Sequence, residues 1–415
     1  MAQARLSTLV PFTPAFELCY NPNIEPPNHL SEDFPEVSEP ASVRSLMPAY
    51  EGQDAVFTRA FDLLRQGIAE RAFPGASLAV LHHDKLLALR AFGRFTYEAG
   101  AAEVTAESIF DLASVSKVVG TTAAAMILYE RGLLDLEMPV TAVVPEFARS
   151  EPASSEFPDS LRREVTLRML LAHSSGLPAY EKLFLGAKTR DELLAAAFAT
   201  PLAAQPGARA AYSDIGFMIL GVALERLGDE SLDRFCQREL FGPLGMAHTA
   251  YNPPKSWRDS IPPTADEKTF RHRIIQGEVQ DENASVLGGV AGQAGVFAPA
   301  RDVAAFAHAM MIGGAPILRP ETVRLFTRRE SSPEGTSRAL GWDTPSSPSQ
   351  SGKYFSAGSF GHLGYTGTSL WIDPERQLAI VLLSNRTWPD CTNQAIKQVR
   401  PLVHDAVLEA LEDVG

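Results

Sequence analysis

The 415-residue chain is 45% hydrophobic and 21% charged, the balance of a globular protein able to bury a large core. Its formal net charge of -13 argues against a nucleic-acid partner, because a polyanion favours a concentrated basic face. Cys19, Cys236 and Cys391 are scattered and build neither a disulfide framework nor a metal-binding spacing.

At the N-terminus, Pro11 and Pro14 interrupt Leu6 to Phe16, and Glu17 stands where a secretion signal needs apolar or small residues. No run of about 18 apolar residues could span a membrane, so the expected location is cytoplasmic. Residues 1–50 read as a Pro-rich extension: Pro22, Pro26, Pro27, Pro35, Pro40 and Pro48 recur without any periodic pattern. A helical pattern covers Ala55 to Glu70. Two apolar runs, Ser77 to Leu81 and Leu86 to Phe92, flank His82-His83-Asp84-Lys85 and predict a β-hairpin. The tip has metal-ligand residue types, but a tight turn points adjacent side chains apart, so it reads as a solvated turn.

Ser114 to Leu244 is mainly helical in pattern, and Asn252 to Gly295 is irregular. Within the latter, the acidic run Gly277 to Asn283 reads as an exposed loop, with a loop over a cleft as the alternative. Gly288-Gly289-Val290-Ala291-Gly292 lacks the preceding strand and the Lys-Ser/Thr pair of a phosphate loop. Arg301 to Ile312 is helical again. Ser369 to Ile372 and Leu378 to Ser384, joined across Asp373-Pro374-Glu375-Arg376, predict a second hairpin, and a last helix covers Thr392 to Leu411. Hairpins at both ends around a helical middle predict an α+β fold. Its antiparallel sheet is built from both chain ends and flanked by helices, with an all-α region inserted. The expected division is a sheet domain of residues 51–110 and 296–415 and a mainly helical domain of residues 111–295.

Ser114-Val115-Ser116-Lys117 crowds two hydroxyls and an amine into the first turn of an otherwise apolar helix. Residues three apart share a helical face, so Ser114 and Lys117 can meet while Ser116 points elsewhere. A serine needs a base to become a nucleophile, and burial or the helix dipole can lower a lysine's pKa enough to supply one. Taken alone, Ser114 reads equally as a helix cap beside a solvated lysine. Tyr212-Ser213-Asp214 follows the turn residues Pro206-Gly207 and precedes a helical run, Phe217 to Arg226. Its phenol can relay protons; alternatively Tyr212 is a core residue and Asp214 a helix cap. Phe360 to Gly367 (FGHLGYTG) lies directly before the Ser369 strand. Its glycines allow close approach and its N–H groups can face an oxyanion, the alternative being a glycine-rich turn with an incidental histidine.

In this order, S-x-x-K, Y-S-D and H-x-G resemble the active-site set of the serine β-lactamase and penicillin-binding-protein superfamily. More narrowly they are similar to its class C-like branch, which includes esterases and DD-peptidases. LLAHSSGLP (170–178), PGARAAYSDIGFMILGVALERLG (206–228), LFGPLGM (240–246) and GHLGYTGTSLWIDPERQLAIVLLSN (361–385) support the likeness, which spans about Ala55 to Leu411. It implies a β-lactamase/transpeptidase-like fold, with Ser114 as the acylated nucleophile, Lys117 as its base and Tyr212 sharing the proton transfers. The oxyanion hole it implies is the backbone N–H of Ser114 and of Tyr365. Asp214, His362, Gly364 and Thr366 fall on the substrate-binding side, and His173 reads as a structural hydrogen-bonder.

Two residues depart from the family's commoner pattern. Asp214 stands for an Asn and His362 for a Lys, and both changes favour an uncharged ester or amide over penicillins or D-Ala-D-Ala termini. The expectation is a serine hydrolase, carboxylesterase first and β-lactamase or DD-peptidase second. A catalytically idle acyl- or peptide-binding relative is the alternative from another class. No metal, organic cofactor or nucleic acid is implied; the expected partner is a small-molecule ester or amide, and the sequence says nothing of oligomeric state.

Overall fold

The computed structural model describes residues 46–148 and 157–412. A six-stranded sheet runs, edge to edge, Met47–Pro48, Lys85–Gly93, Gly75–His82, Leu378–Ser384, Ser369–Asp373, Phe360–Leu363. Every neighbouring pair is antiparallel except Met47–Pro48, which lies parallel to Lys85–Gly93. The two expected hairpins therefore meet at the centre of one sheet, with Ile380 paired to Val80 and Leu382 to Leu78. The fold is α+β, as the patterning predicts.

Both faces of the sheet are covered, which explains why its central strands are continuous apolar runs. Leu78 and Val80 face one core with Leu378, Ile380 and Leu382, against the helices Thr58–Ala69 and Ile396–Glu412. Ala79 and Leu81 face the other with Ala379, Val381 and Leu383. Successive side chains point to opposite faces, so one strand serves both cores. The second core is continuous with the apolar interior of the helical middle, including Val118, Met126, Phe217 and Ile219.

Several expectations are corrected. Residues 46–50 join the body, through the Met47–Pro48 strand at the sheet edge; residues 1–45 of the extension lie outside the described residues. The middle is less regular than its pattern: short helices alternate with 3-10 and π-type turns. A small sheet, Phe110–Asp111, Val296–Ala298 and Ala250–Tyr251, also crosses it, as strands of two or three residues carry no readable period. The last helix starts at Ile396 rather than Thr392. Asp390 and Asn393 side chains accept from the N–H groups of Thr392 and Ala395, offering the backbone a turn instead of a helix. At the first hairpin's tip, His83 adopts φ 54° and Asp84 lies 3.1 Å from His308 Nε2. No helix among the described residues is long and apolar enough to cross a membrane.

Candidate active site

The turn that carries Ser114 is pinned from three sides. Leu112 N–H donates to Val296 O at 2.9 Å, and Asp111 Oδ1 accepts from Ala113 N–H at 2.8 Å. Ala113 consequently sits at φ 46°, a strained conformation for a residue with a Cβ. Thr366 Oγ1 donates to Asp111 O and Thr368 Oγ1 to Leu112 O, each at 2.8 Å, so hydroxyls beyond the H-x-G motif clamp the strand leading to Ser114. After this, a 3-10 turn (Ala113–Val115) and a wider π-type turn (Lys117–Thr122) precede the helix Ala123–Glu130. Ser116 is buried and its Oγ accepts from Val296 N–H at 3.0 Å, away from Ser114.

Tyr212 and Asp214 arrive from the other side. Ser213, not Asp214, caps the helix Asp214–Gly228: its Oγ accepts from Gly216 N–H at 3.0 Å. His173 fixes the segment, its Nδ1 accepting from Ser213 N–H at 3.0 Å while its ring lies 4.8 Å from that of Tyr212. The result is a four-residue cluster. Lys117 Nζ is 3.0 Å from Ser114 Oγ and 2.6 Å from Asp214 Oδ1, and Tyr212 Oη is 2.7 Å from Ser114 Oγ and 3.0 Å from Asp214 Oδ1. The third contact of Lys117 is the carbonyl of Gln293 at 2.9 Å. That carbonyl reaches the lysine because Gly292 packs against the helix bearing Phe217; a Cβ there would collide with Phe217 O. The glycines of residues 288–292 thus include one required by backbone approach.

Lys117 is completely buried, and burial lowers its pKa against the opposing pull of the Asp214 carboxylate. Burial, reinforced by Asp214, holds the Tyr212 phenol well above its usual range, so it rests protonated. His362 Nδ1 lies 2.8 Å from Leu363 O, and burial followed by the Lys117 and Arg338 charges holds the ring well below the usual histidine range. It is neutral at pH 7.

These groups face a cavity of about 650 Å³, large enough for a drug-sized ligand. Ser114, Tyr212, Asp214, His362, Gly364 and Tyr365 all line it. Thr366, expected beside the substrate, does not: it is fully buried and spent on Asp111. Asp214 is committed to Lys117 and Tyr212 instead of standing free for a substrate. Gly364 has no room for a side chain, since a Cβ would meet Thr368 Oγ1 and Leu112 O.

The acidic run expected as an exposed loop is instead a cavity wall, carrying Gln280, Asp281 and Glu282. Arg271 grips the carbonyls of Val279 and Gln280 at 2.7 Å each, and Asp111 Oδ2 accepts from Gln280 N–H at 2.7 Å. Burial, then the Asp214 charge, raises Asp281 to about 7, and burial raises Asp111 to about 6. Sequence reasoning also missed Arg338, whose guanidinium lies 5.6 Å from the Tyr212 ring centre and 3.7 Å from Asp343. Arg386 was missed as well, though a charge two residues after the apolar strand Leu378–Ser384 is a usable signal.

Comparison with known proteins adds three findings. The family described as Beta-lactamase matches residues 60–400. Among curated relatives, "N-acetylmuramyl-L-alanine amidase" of Bacillus subtilis (strain 168) is 32% identical over 354 residues, 76% of this chain and 77% of the relative. "Putative D-alanyl-D-alanine carboxypeptidase" of Escherichia coli (strain K12) is 31% identical over 349 residues, 76% and 79% of the two chains. Among solved structures, "EstCE1, a hydrolase with promiscuous acyltransferase activity" superposes with a TM-score of 0.70 at 21% identity. That match covers 86% of this chain and 99% of the other.

Proposed function

The chain belongs to the beta-lactamase family of serine hydrolases, and on that premise we propose that it cleaves a small-molecule ester or amide through an acyl-enzyme on Ser114. One observation carries the reading: a hydroxyl flanked by a buried amine at 3.0 Å and a half-buried phenol at 2.7 Å. The class C-like branch and a cytoplasmic setting belong to the same proposal.

The proton inventory supports it. Lys117 has three polar neighbours: Ser114 Oγ, Asp214 Oδ1 and Gln293 O. A neutral amine donates two hydrogens to Asp214 and Gln293 and keeps its lone pair for the Ser114 proton. An ammonium donates to all three. Both protonation states are therefore satisfied without rearrangement, as a general base requires. Ser114 Oγ attacks the carbonyl carbon as its proton passes to Lys117, and the oxyanion that forms is held by the N–H groups of Ser114 and Tyr365. Tyr212 gives its proton to the leaving oxygen or nitrogen as the bond to the acyl carbon breaks, and recovers one from Lys117. Water then attacks the acyl-enzyme by the same route in reverse, releasing the acid and Ser114.

Carboxylesterase is the first reading, because neutral His362 replaces a cationic lysine beside the reaction centre. The names of the curated relatives favour a second: amidase or D-alanyl-D-alanine carboxypeptidase activity. Steady-state rates on p-nitrophenyl esters, nitrocefin and a D-Ala-D-Ala peptide, with Ser114→Ala as control, decide between them. The esters should give the highest kcat/KM. Faster turnover of the peptide or of nitrocefin than of every ester would overturn the first reading.

A further inference from the structure

The wall that carries Asp281 and Glu282 brings acceptors to the cavity that no group of the protein answers. Asp281 Oδ1 accepts from Ala284 N–H at 2.6 Å and from Gln293 Nε2 at 3.2 Å. Among the described residues, Asp281 Oδ2 has no donor, and neither the Asp281 nor the Glu282 carboxylate has a cation within ion-pair distance. Gln293 lines the same cavity, is 1% exposed, and holds its Oε1 buried without a partner. The Asp281 carboxylate fixes which way that amide points. Its Nε2 turns to the carboxylate, so Oε1 is the atom left over.

A buried acceptor without a donor costs free energy, and so does a shielded carboxylate without a cation. One chemical group answers both deficits. A primary ammonium brings a positive charge, three N–H donors and no acceptor. Burial and the Asp214 charge push Asp281 up to about 7, in keeping with a carboxylate whose cation is missing. Lys117 is not that cation, because its amine is spent on Ser114 Oγ, Asp214 Oδ1 and the carbonyl of Gln293. Lys182, also on the cavity, is exposed and pairs with neither carboxylate among the described residues. We infer that Asp281, Glu282 and the Gln293 side chain form a subsite for an ammonium group carried by the substrate. Gln293 ties this subsite to the reaction centre, since its carbonyl holds Lys117 Nζ at 2.9 Å. A bound ammonium also offsets the Asp281 charge that favours protonated Lys117, and so leaves more of the lysine as free base. His362 by itself implies an uncharged substrate; the acidic wall selects an ester or amide bearing an amine.

The substrate half of this inference rests on the acyl-enzyme reading; the cation half does not. The test pairs each cationic ester with an isostere in which a methyl group replaces the ammonium. D- and L-alanine ethyl ester against ethyl 2-methylpropanoate place the charge on the acyl side. The leaving side is covered by 3-(aminomethyl)phenyl acetate against 3-ethylphenyl acetate. The readout is the cationic-to-neutral ratio of kcat/KM at pH 7, compared between proteins, so that inductive activation by the ammonium cancels. For at least one pair that ratio should fall about tenfold or more from wild type to Asp281→Asn, and severalfold in Glu282→Gln and Gln293→Met. Asn still caps the helix Glu282–Val286, so the Asp281 variant keeps the wall in place. Ratios unchanged or raised in Asp281→Asn for both pairs overturn the subsite. If wild type turns over no ester, the acyl-enzyme reading fails by itself and thermal unfolding decides the subsite. Tens of millimolar propylammonium chloride should then raise the Tm of wild type above that in equal sodium chloride, and not that of Asp281→Asn. No rise in wild type, or an equal rise in both proteins, overturns it.

Discussion

Tyr212 places its hydroxyl 2.7 Å from Ser114 Oγ across 98 residues of chain. The contact exists because His173 and Ser213 lock the segment before the helix Asp214–Gly228, while Asp111, Thr366 and Thr368 lock the turn before Ser114. Two independently braced segments meet at one oxygen.

Tyr212→Phe removes the phenolic proton and keeps the ring packed against His173. We expect kcat to fall about 100- to 10,000-fold, the usual contribution of a positioned acid-base group, with KM changed far less. Thermal unfolding should remain within a few degrees of wild type, which separates a lost proton relay from a lost fold.

The Asp214 carboxylate favours protonated Lys117, against burial. In Asp214→Asn that pull is gone, so the lysine becomes neutral at lower pH. The acidic limb of the kcat/KM profile, where loss of the Lys117 proton switches activity on, should move to lower pH. An unmoved or alkaline-shifted limb on a neutral p-nitrophenyl ester would show that Lys117 is not the titrating base.

The clamp predicts a structural cost. At almost unchanged volume, Thr366→Val takes from the buried carbonyl of Asp111 its side-chain donor, and Thr368→Val leaves that of Leu112 only the N–H of Val115 at 3.1 Å. Each should destabilise by about 1–3 kcal/mol in denaturant titrations. Ser116→Ala, which removes an acceptor from Val296 N–H, should cost stability in the same range and leave Ser114 labelling intact.

Asp281 gives a pH signature in stability. Its folded pKa, about 7, lies above the ordinary aspartate value of 3.8, so its contribution is fully present below pH 4 and is lost as pH rises to about 7. Asp281→Asn cannot ionise and escapes that loss. Its Tm relative to wild type should therefore climb between pH 4 and pH 8. A difference constant with pH would place the Asp281 carboxylate in solvent.

The hairpins are legible in the sequence because alternation along strands such as Gly75–His82 serves two apolar cores, so the strands read as unbroken hydrophobic runs between turn residues. Ser114 and Lys117 are legible as a pair because spacing of three fixes a shared face. Tyr212 is different: its nearness to Ser114 depends on tertiary packing and enters only through the family resemblance. Gln293 carries no signal at all, since it acts through its backbone carbonyl. Asp281 and the rest of the acidic run look solvated until Arg271 is seen to pull the loop inward. The short strands at Phe110–Asp111 and Val296–Ala298 are set by the hydrogen bonds of the nucleophile turn, and two or three residues cannot show a period.

The central claim is that Ser114 alone is acylated. Wild type and Ser114→Ala should be incubated with a fluorophosphonate, digested and mapped by mass spectrometry. The account predicts one adduct in wild type, on Ser114, and none in Ser114→Ala. An adduct on Ser116, or equal labelling of the two proteins, would contradict it.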